Sequence, residues 1–273
     1  FEFNHRALAT YAAERKLPDI SWRYTDDTNM ALSIYANLRD YQQINADVLA
    51  QSFAEHFNPQ RGYGPTTRAM LTRIRKGAHW KTESSSVHSG QGSYGNGSAM
   101  RVAPVGAYFA DDVERAVTQA ALTSVITHAN PEAIAGAIAV AVATTTAARY
   151  AAQNERPTLK AFIEQVLAYV PTSEVRSGLK RAQDIRTTDS DHVGQMLGNG
   201  SWITAMDTVP FVVWSAATYL EDYTEAFWQT ARAGGDVDTT CAMVGGIVAA
   251  YVGQEGIPAA WLENREPLPE WAL

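Results

Sequence analysis

The sequence predicts an all-α protein folded as a single domain over residues 1–273, and three observations carry that prediction. Apolar residues recur three to four positions apart in nearly every segment, strand-like alternation is almost absent, and capping residues and prolines stand where such helices would begin. Met30, Ile34, Tyr35 and Leu38 mark the first clear helix, and segments 46–56 and 66–76 continue the pattern. The stretch 83-ESSSVHSGQGSYGNGS-98 reads as one long loop, of a length that compact domains usually keep for function. Val113, Ala116, Val117 and Ala120 restart the helical spacing, and Asn130 before Pro131 opens the next helix with a cap and a first-turn proline. Its apolar run 133-AIAGAIAVAVATTTAA-148 falls short of a span of roughly 20 residues, so it reads as a buried helix rather than a membrane one. Pro157 and Thr158 open 159–170, and helices at 172–184, 208–219, 222–232 and 238–252 complete the chain. No linker, repeat or shift in composition divides it.

With 46% hydrophobic and 19% charged residues, the 273-residue chain has the balance of a soluble globule with a sizeable core. A net charge of -7 and the lack of any lysine or arginine run argue against a nucleic-acid partner, and no membrane partner is expected. A lone cysteine, Cys241, excludes an intrachain disulfide and suits a reducing compartment, so a cytoplasmic location is expected. No basic leader followed by an apolar run opens the sequence at Phe1, so no signal peptide is read.

Two acidic knots stand out, 24-YTDDTNM-30 and 234-GGDVDTT-240. Four carboxylates, each beside a hydroxyl, are the oxygen donors that hard cations such as Mg²⁺ or Mn²⁺ require, and the lack of histidine or cysteine in either knot argues against zinc. The bland alternative is helix capping: Thr25 or an adjacent aspartate would cap the helix through Met30, and Asp238 the helix that follows it. Capping explains one acid per helix start and leaves the second acid of each doublet without a task.

Together with 61-RGYG-64, 92-GSYGNGSAMRVAPVG-106, 127-THANPEAIAG-136, 209-VPFVVWSA-216 and 245-GGIVAAYVGQEGIP-258, the knots resemble the ADP-ribosylglycohydrolase family in order and almost end to end. That resemblance implies a compact, orthogonal all-α domain with two Mg²⁺ ions, or Mn²⁺, in a cleft. It implies a hydrolase that separates ADP-ribose from a modified arginine or serine, or from a small O-linked conjugate. An ADP-ribosylated protein or ADP-ribose conjugate would therefore be the substrate. On the same pattern Thr25, Asp26, Asp27, Asp236, Asp238 and Thr239 would ligate metal, and Glu2, Asp27 and Asp238 would serve catalysis. Family members usually begin with a glycine-rich segment leading to an acid; this sequence begins at 1-FEF-3, with Glu2 at the position of that acid.

Gly64, Gly92, Ser93, Tyr94, Gly95, Asn96 and His128 are the expected substrate-binding residues. The 92–97 loop would offer backbone N–H groups to a diphosphate and Tyr94 an aromatic face to adenine or ribose. His128 would donate a hydrogen bond to phosphate or ribose, and Arg101 would reach a phosphate or form a buried salt bridge. His56 and His88 read as surface residues, and Trp202, Trp214, Trp228 and Trp261 as core. A non-catalytic ADP-ribose-binding or toxin-blocking module, and a metal-free glycosidase using paired carboxylates, are the competing functions.

Overall fold

The computed structural model describes residues 10–12, 14–18 and 20–273. It is 68% helical. Among the described residues no strand forms; two isolated bridges, Trp22 with Arg265 and Gly95 with Thr204, are the whole of the β-type pairing.

Small side chains decide the centre of the fold. Helix α7 (Pro131–Gln153) is built largely of alanine, valine and threonine, and residues 135–147 are buried without a break. By length and composition it could cross a membrane, yet 78% of its most apolar window is buried within the protein. Around it pack α5 (Ala103–Tyr108), α6 (Val113–Val125), α8 (Leu159–Leu167), α11 (Ala205–Thr218) and α13 (Val237–Val252). Close approach is possible because the facing positions are small: a Cβ on Gly106 of α5 would lie 2.1 Å from the Ala141 carbonyl oxygen. Thr145 uses that proximity to donate to the Gly106 carbonyl at 2.9 Å.

Two further helices complete the frame of the site. Helix α1 (Asp26–Tyr41) buries Met30, Ile34 and Leu38, the apolar stripe visible in the sequence, and packs against both α5 and α13. Helix α12 (Tyr223–Arg232) lies against α13 on its other side. The N-termini of α1 and α13 carry the two acidic knots, so this packing brings together residues from opposite ends of the chain.

Several elements differ from expectation. Residues 83–86 are helical, in α4 (Trp80–Gly90), and only from Val87 does the backbone leave the helix, with His88 and Ser89 at φ 51° and 58°. A run of serines has weak helix propensity but no chain break, so tertiary packing of Trp80 and Ser84 decides the matter. Helix α10 (Ser190–Leu197) was hidden by its length and by the turn-forming residues around its Asp189 cap. Trp214 and Trp228 are buried and Trp261 is half-buried, packed edge-on to Trp22, Tyr223, Phe227 and Trp228. Trp202 is not core: it is 79% exposed, in the turn ahead of α11. His56 is half-buried and stacked on Trp271 at 3.6 Å, whereas His88 is exposed and stacks on Tyr94.

Candidate functional site

Helix capping tests what the knots do. Where an α-helix among the described residues starts on serine, threonine, aspartate or asparagine, that side chain accepts a hydrogen bond from the first turn, as at Asn45, Asp112, Asn130, Thr158, Ser173, Asp189, Thr204 and Asp222. Two starts break the rule. Thr25 before α1 and Asp236 before α13 are of capping type and make no cap hydrogen bond. The capping alternative therefore fails at both knots, and Asp238 lies inside the first turn rather than at the cap.

At the first knot the threonine turns to its own neighbour instead. The Thr25 hydroxyl donates to Asp27 Oδ2 at 2.5 Å. Asp27 is 2% exposed, and its other oxygen is buried with no partner. Burial, followed by the charges of Asp238 and Asp26, holds the Asp27 carboxyl well above the usual carboxylate range. Asp26 is raised to about 7, by burial first and then by Asp238 and Asp236, and Asp236 to about 6, by burial and then by Asp238. Like charges felt across two helix starts mark one shared acidic field. Thr239, buried at the second knot, pulls the Asp236 carboxyl the other way. The field is not a closed cage: among the described residues no group of three or more acidic, histidine or cysteine side chains converges as a ready metal cluster. The donor chemistry nevertheless fits a hard cation, because every donor is oxygen and Asp27 holds one buried oxygen with no protein partner.

A repeated tripeptide grips the second knot. In 95-GNG-97 the Asn96 side-chain amide donates to Asp236 Oδ2 at 2.7 Å and to Thr208 Oγ1 at 3.2 Å. In 198-GNG-200 the Asn199 carbonyl accepts from the Asp236 N–H at 3.1 Å, and its side-chain amide donates to the Ala233 carbonyl. Gly200, at φ 86°, is packed so closely that a Cβ would lie 2.7 Å from Asp236 Cβ, which restricts the position to glycine twice over. The 198–204 segment was missed in the sequence; its repeated Gly-Asn-Gly was the available signal. The two loops meet edge to edge, with Asn96 N–H donating to the Ile203 carbonyl and Ala205 N–H to the Tyr94 carbonyl.

The remaining expected residues are placed as follows. Gly92, Ser93, Tyr94 and Gly95 lie in the loop that delivers Asn96 to Asp236, and the Gly95 N–H is engaged by Ser93 Oγ at 3.3 Å. His128 sits beneath this loop, 5% exposed, with its ring against Gly97 and its Nδ1 paired with Thr127 Oγ1 at 2.7 Å. Burial, helped by the Arg101 charge, lowers its pKa to about 3, so it is a neutral support for the loop. At the first knot it is Gly62 that stands beside the aspartates, 3.3 Å from Asp26 Oδ1 by its missing Cβ, while Gly64 starts α3 (Pro65–Arg75) in the open. A groove of about 580 Å³ is lined by Tyr63, Pro65, Arg68 and Thr72, with none of the knot aspartates in its lining. Glu2 lies outside the described residues.

Arg101 takes neither expected role. It is fully buried and pairs with no carboxylate among the described residues. Its guanidinium donates to the Thr123 carbonyl and Thr127 Oγ1 and lies over the Phe53 ring at 4.5 Å, with Nε unpartnered. Burial lowers its pKa to about 9, and its charge in turn lowers that of Asp26. It is a fixed cation set behind the acidic field.

Comparisons with known proteins place the chain in a family. ADP-ribosylhydrolase ARH3 of Bos taurus is 30% identical over 287 residues, covering 90% of this chain and 75% of that protein. The Xenopus tropicalis protein of the same name is 28% identical over 280 residues, covering 89% and 77%. An uncharacterized Escherichia coli protein, YegU, is 28% identical over 261 residues, covering 87% and 74%. A solved structure described as an ADP-ribosylglycohydrolase-related protein complex superposes with a TM-score of 0.58 at 21% identity, covering 93% of this chain and 78% of that one, which establishes a shared fold. The model of one family, ADP-ribosylglycohydrolase, matches residues 1–272, both knots included, and it is to this family that the chain belongs.

Proposed function

We propose that this protein is a metal-dependent hydrolase that cleaves the glycosidic bond between ADP-ribose and an acceptor, a modified arginine or serine side chain or a small O-linked conjugate. The carrying observation is the pair of helix starts whose acids and hydroxyls are withheld from capping and turned into one acidic field. An acid engaged by the backbone is spent on the fold; these are left to hold something else. Thr25, Asp26 and Asp27 from one start, and Asp236, Asp238 and Thr239 from the other, would hold a pair of Mg²⁺ or Mn²⁺ ions. Bound there, such ions would offset the clustered carboxylates and would favour ionisation of a nearby water.

The chain's own residues supply orientation and charge. Thr25 fixes one oxygen of Asp27 and Asn96 one oxygen of Asp236, which directs the remaining oxygens of both carboxylates. Positive charge grows on the ribose ring as the glycosidic bond breaks, and the acidic field favours it. A carboxylate, Glu2, Asp27 or Asp238, serves as base toward the water or as acid toward the leaving group. The 92–97 loop, whose Asn96 reaches Asp236, would contact the ADP end, with Gly64 as a further contact beyond Gly62.

The test is a panel of arginine-linked, serine-linked and small O-linked ADP-ribose conjugates, incubated with Mg²⁺ or with EDTA. Release of ADP-ribose from at least one conjugate, lost in EDTA and restored by Mg²⁺, is the expected result. No release from any conjugate removes the hydrolase reading, and release indifferent to chelator removes the metal from it.

A further inference from the structure

We propose that Thr127, pinned by Arg101, is a positioning residue that holds the ring of His128 in one tautomer, with its proton on Nε2, so that a donor with no protein partner faces the ligand loop at Gly95 and Gly97. The occupant assigned to that donor, an oxygen of the ADP end, rests on the hydrolase reading above; the tautomer does not.

Donor counting fixes the proton. A guanidinium has donors only, so where Arg101 meets Thr127 Oγ1 at 2.8 Å the hydroxyl oxygen accepts. Thr127 is buried, and the other group its hydroxyl reaches among the described residues is His128 Nδ1, at 2.7 Å. If Nδ1 carried a proton, the oxygen would accept twice and the hydroxyl hydrogen would be buried without an acceptor, at the cost of desolvating a donor. With Nδ1 bare, every group is satisfied: Arg101 donates to Thr127, and Thr127 to His128. Burial beside the Arg101 charge keeps the ring neutral, so it carries one proton only. That proton is on Nε2.

The backbone holds the ring to this task. His128 N–H donates to the Ser124 carbonyl at 2.8 Å and its carbonyl accepts from Ser124 Oγ at 3.0 Å, so both sides of its main chain are tied to one residue of α6. Arg101 is held on the adjacent Thr123 carbonyl at 2.9 Å. At the far edge of the ring, a Cβ on Gly97 would come within 2.9 Å of Nε2, and one on Gly95 within 3.4 Å. A side chain at position 97 would press on that nitrogen; glycine does not. No acceptor among the described residues takes the Nε2 proton, although the residue is almost wholly buried. The loop it abuts is the one that delivers Asn96 to Asp236. A neutral donor preorganised at that place fits an acceptor oxygen of the bound ligand.

The experiment reads the ring directly. Long-range proton–nitrogen NMR spectra of the ligand-free protein, labelled at histidine and assigned with His128→Gln, distinguish a protonated ring nitrogen from a bare one. Wild type is expected to show His128 with Nε2 protonated and Nδ1 bare; a proton on Nδ1, or an equal mixture, overturns the proposal. Thr127→Val keeps the shape and removes the hydroxyl. It is expected to mix the two tautomers and to raise KM for an ADP-ribose conjugate about twofold, through KM and not kcat, since the competent fraction halves. Thr127→Ser should restore both the spectrum and KM. A Thr127→Val protein that melts lower yet keeps the wild-type tautomer and KM assigns Thr127 to the fold alone and also overturns the proposal. If the wild type cleaves no conjugate, the hydrolase reading falls while the spectra still decide the tautomer.

Discussion

Asp27 and His128 are both buried titratable groups, and they push stability in opposite directions as pH changes. The folded-state pKa of Asp27 is raised above its reference of 3.8, so its contribution to stability is complete below that value and is lost as pH climbs through the folded value. At neutral pH an ionised Asp27 opposes folding unless a cation offsets it. Asp27→Asn keeps the shape and removes the charge. In EDTA at neutral pH the variant is expected to melt higher than wild type, while in Mg²⁺ its hydrolysis falls roughly 10²-fold or more. Melting curves and initial rates check both; a lower melting point with intact activity would return Asp27 to a structural role. For His128 the folded pKa is depressed from 6.5 to about 3, so the stability it contributes is present above 6.5 and lost as pH falls toward 3. Denaturant titrations between these limits should show wild type weakening with falling pH more steeply than His128→Gln. Of these roles, the aspartates were legible in the sequence because an acidic doublet exceeds what a cap needs. His128 was not, because its neutral state follows from Gly97 and Arg101 closing over it, which only the fold reveals.

At the scale of helices, packing depends on the size of a few facing residues. Gly106 allows α5 to touch α7, and an alanine there would place a methyl 2.1 Å from the Ala141 carbonyl oxygen, closer than any real contact. Gly106→Ala should destabilise by about 1–3 kcal/mol or more, measured by urea unfolding, because two buried helices must separate. An unchanged midpoint would mean that α5 slides freely, contrary to the Thr145 hydrogen bond that ties it down. Helices with long apolar stripes, such as α1 and the asparagine-proline-started α7, were plain in the sequence. The serine-rich later turn of α4 and the short α10 were not, since local propensity there is neutral and burial of Ser84, Ser190 and Val193 decides. Trp202 was misread for a related reason: residue type predicts burial on average, but an isoleucine in a left-handed turn redirects the chain so that its neighbour faces outward.

For the molecule as a whole, an acidic field shared by α1 and α13 makes stability depend on what is bound. A cation that binds only the folded state at a concentration of 100 times its Kd should add about 2.7 kcal/mol. Mg²⁺ added to chelator-treated protein is thus expected to raise the thermal midpoint, with Asp27→Asn and Asp238→Asn losing most of the increment. An identical midpoint with and without Mg²⁺ would count against the proposed ligand set. The all-α architecture was legible because helical spacing is a local property, repeated in almost every segment. How the site is held was less so: Asn96 and Asn199 reach Asp236 across long stretches of chain, and no local pattern specifies that meeting.

The placement of one knot near the start of the sequence and the other close to its end bears on how the protein comes into being during translation. Asp26 and Asp27 leave the ribosome well ahead of α13, which carries their counterpart. Until α13 emerges, α1 lacks its companion helix and the second pair of acids, and on the proposed ligand set the nascent protein would be catalytically silent. Chains released before position 236 would be inert for the same reason, so on that ligand set activity would report that both knots have been made.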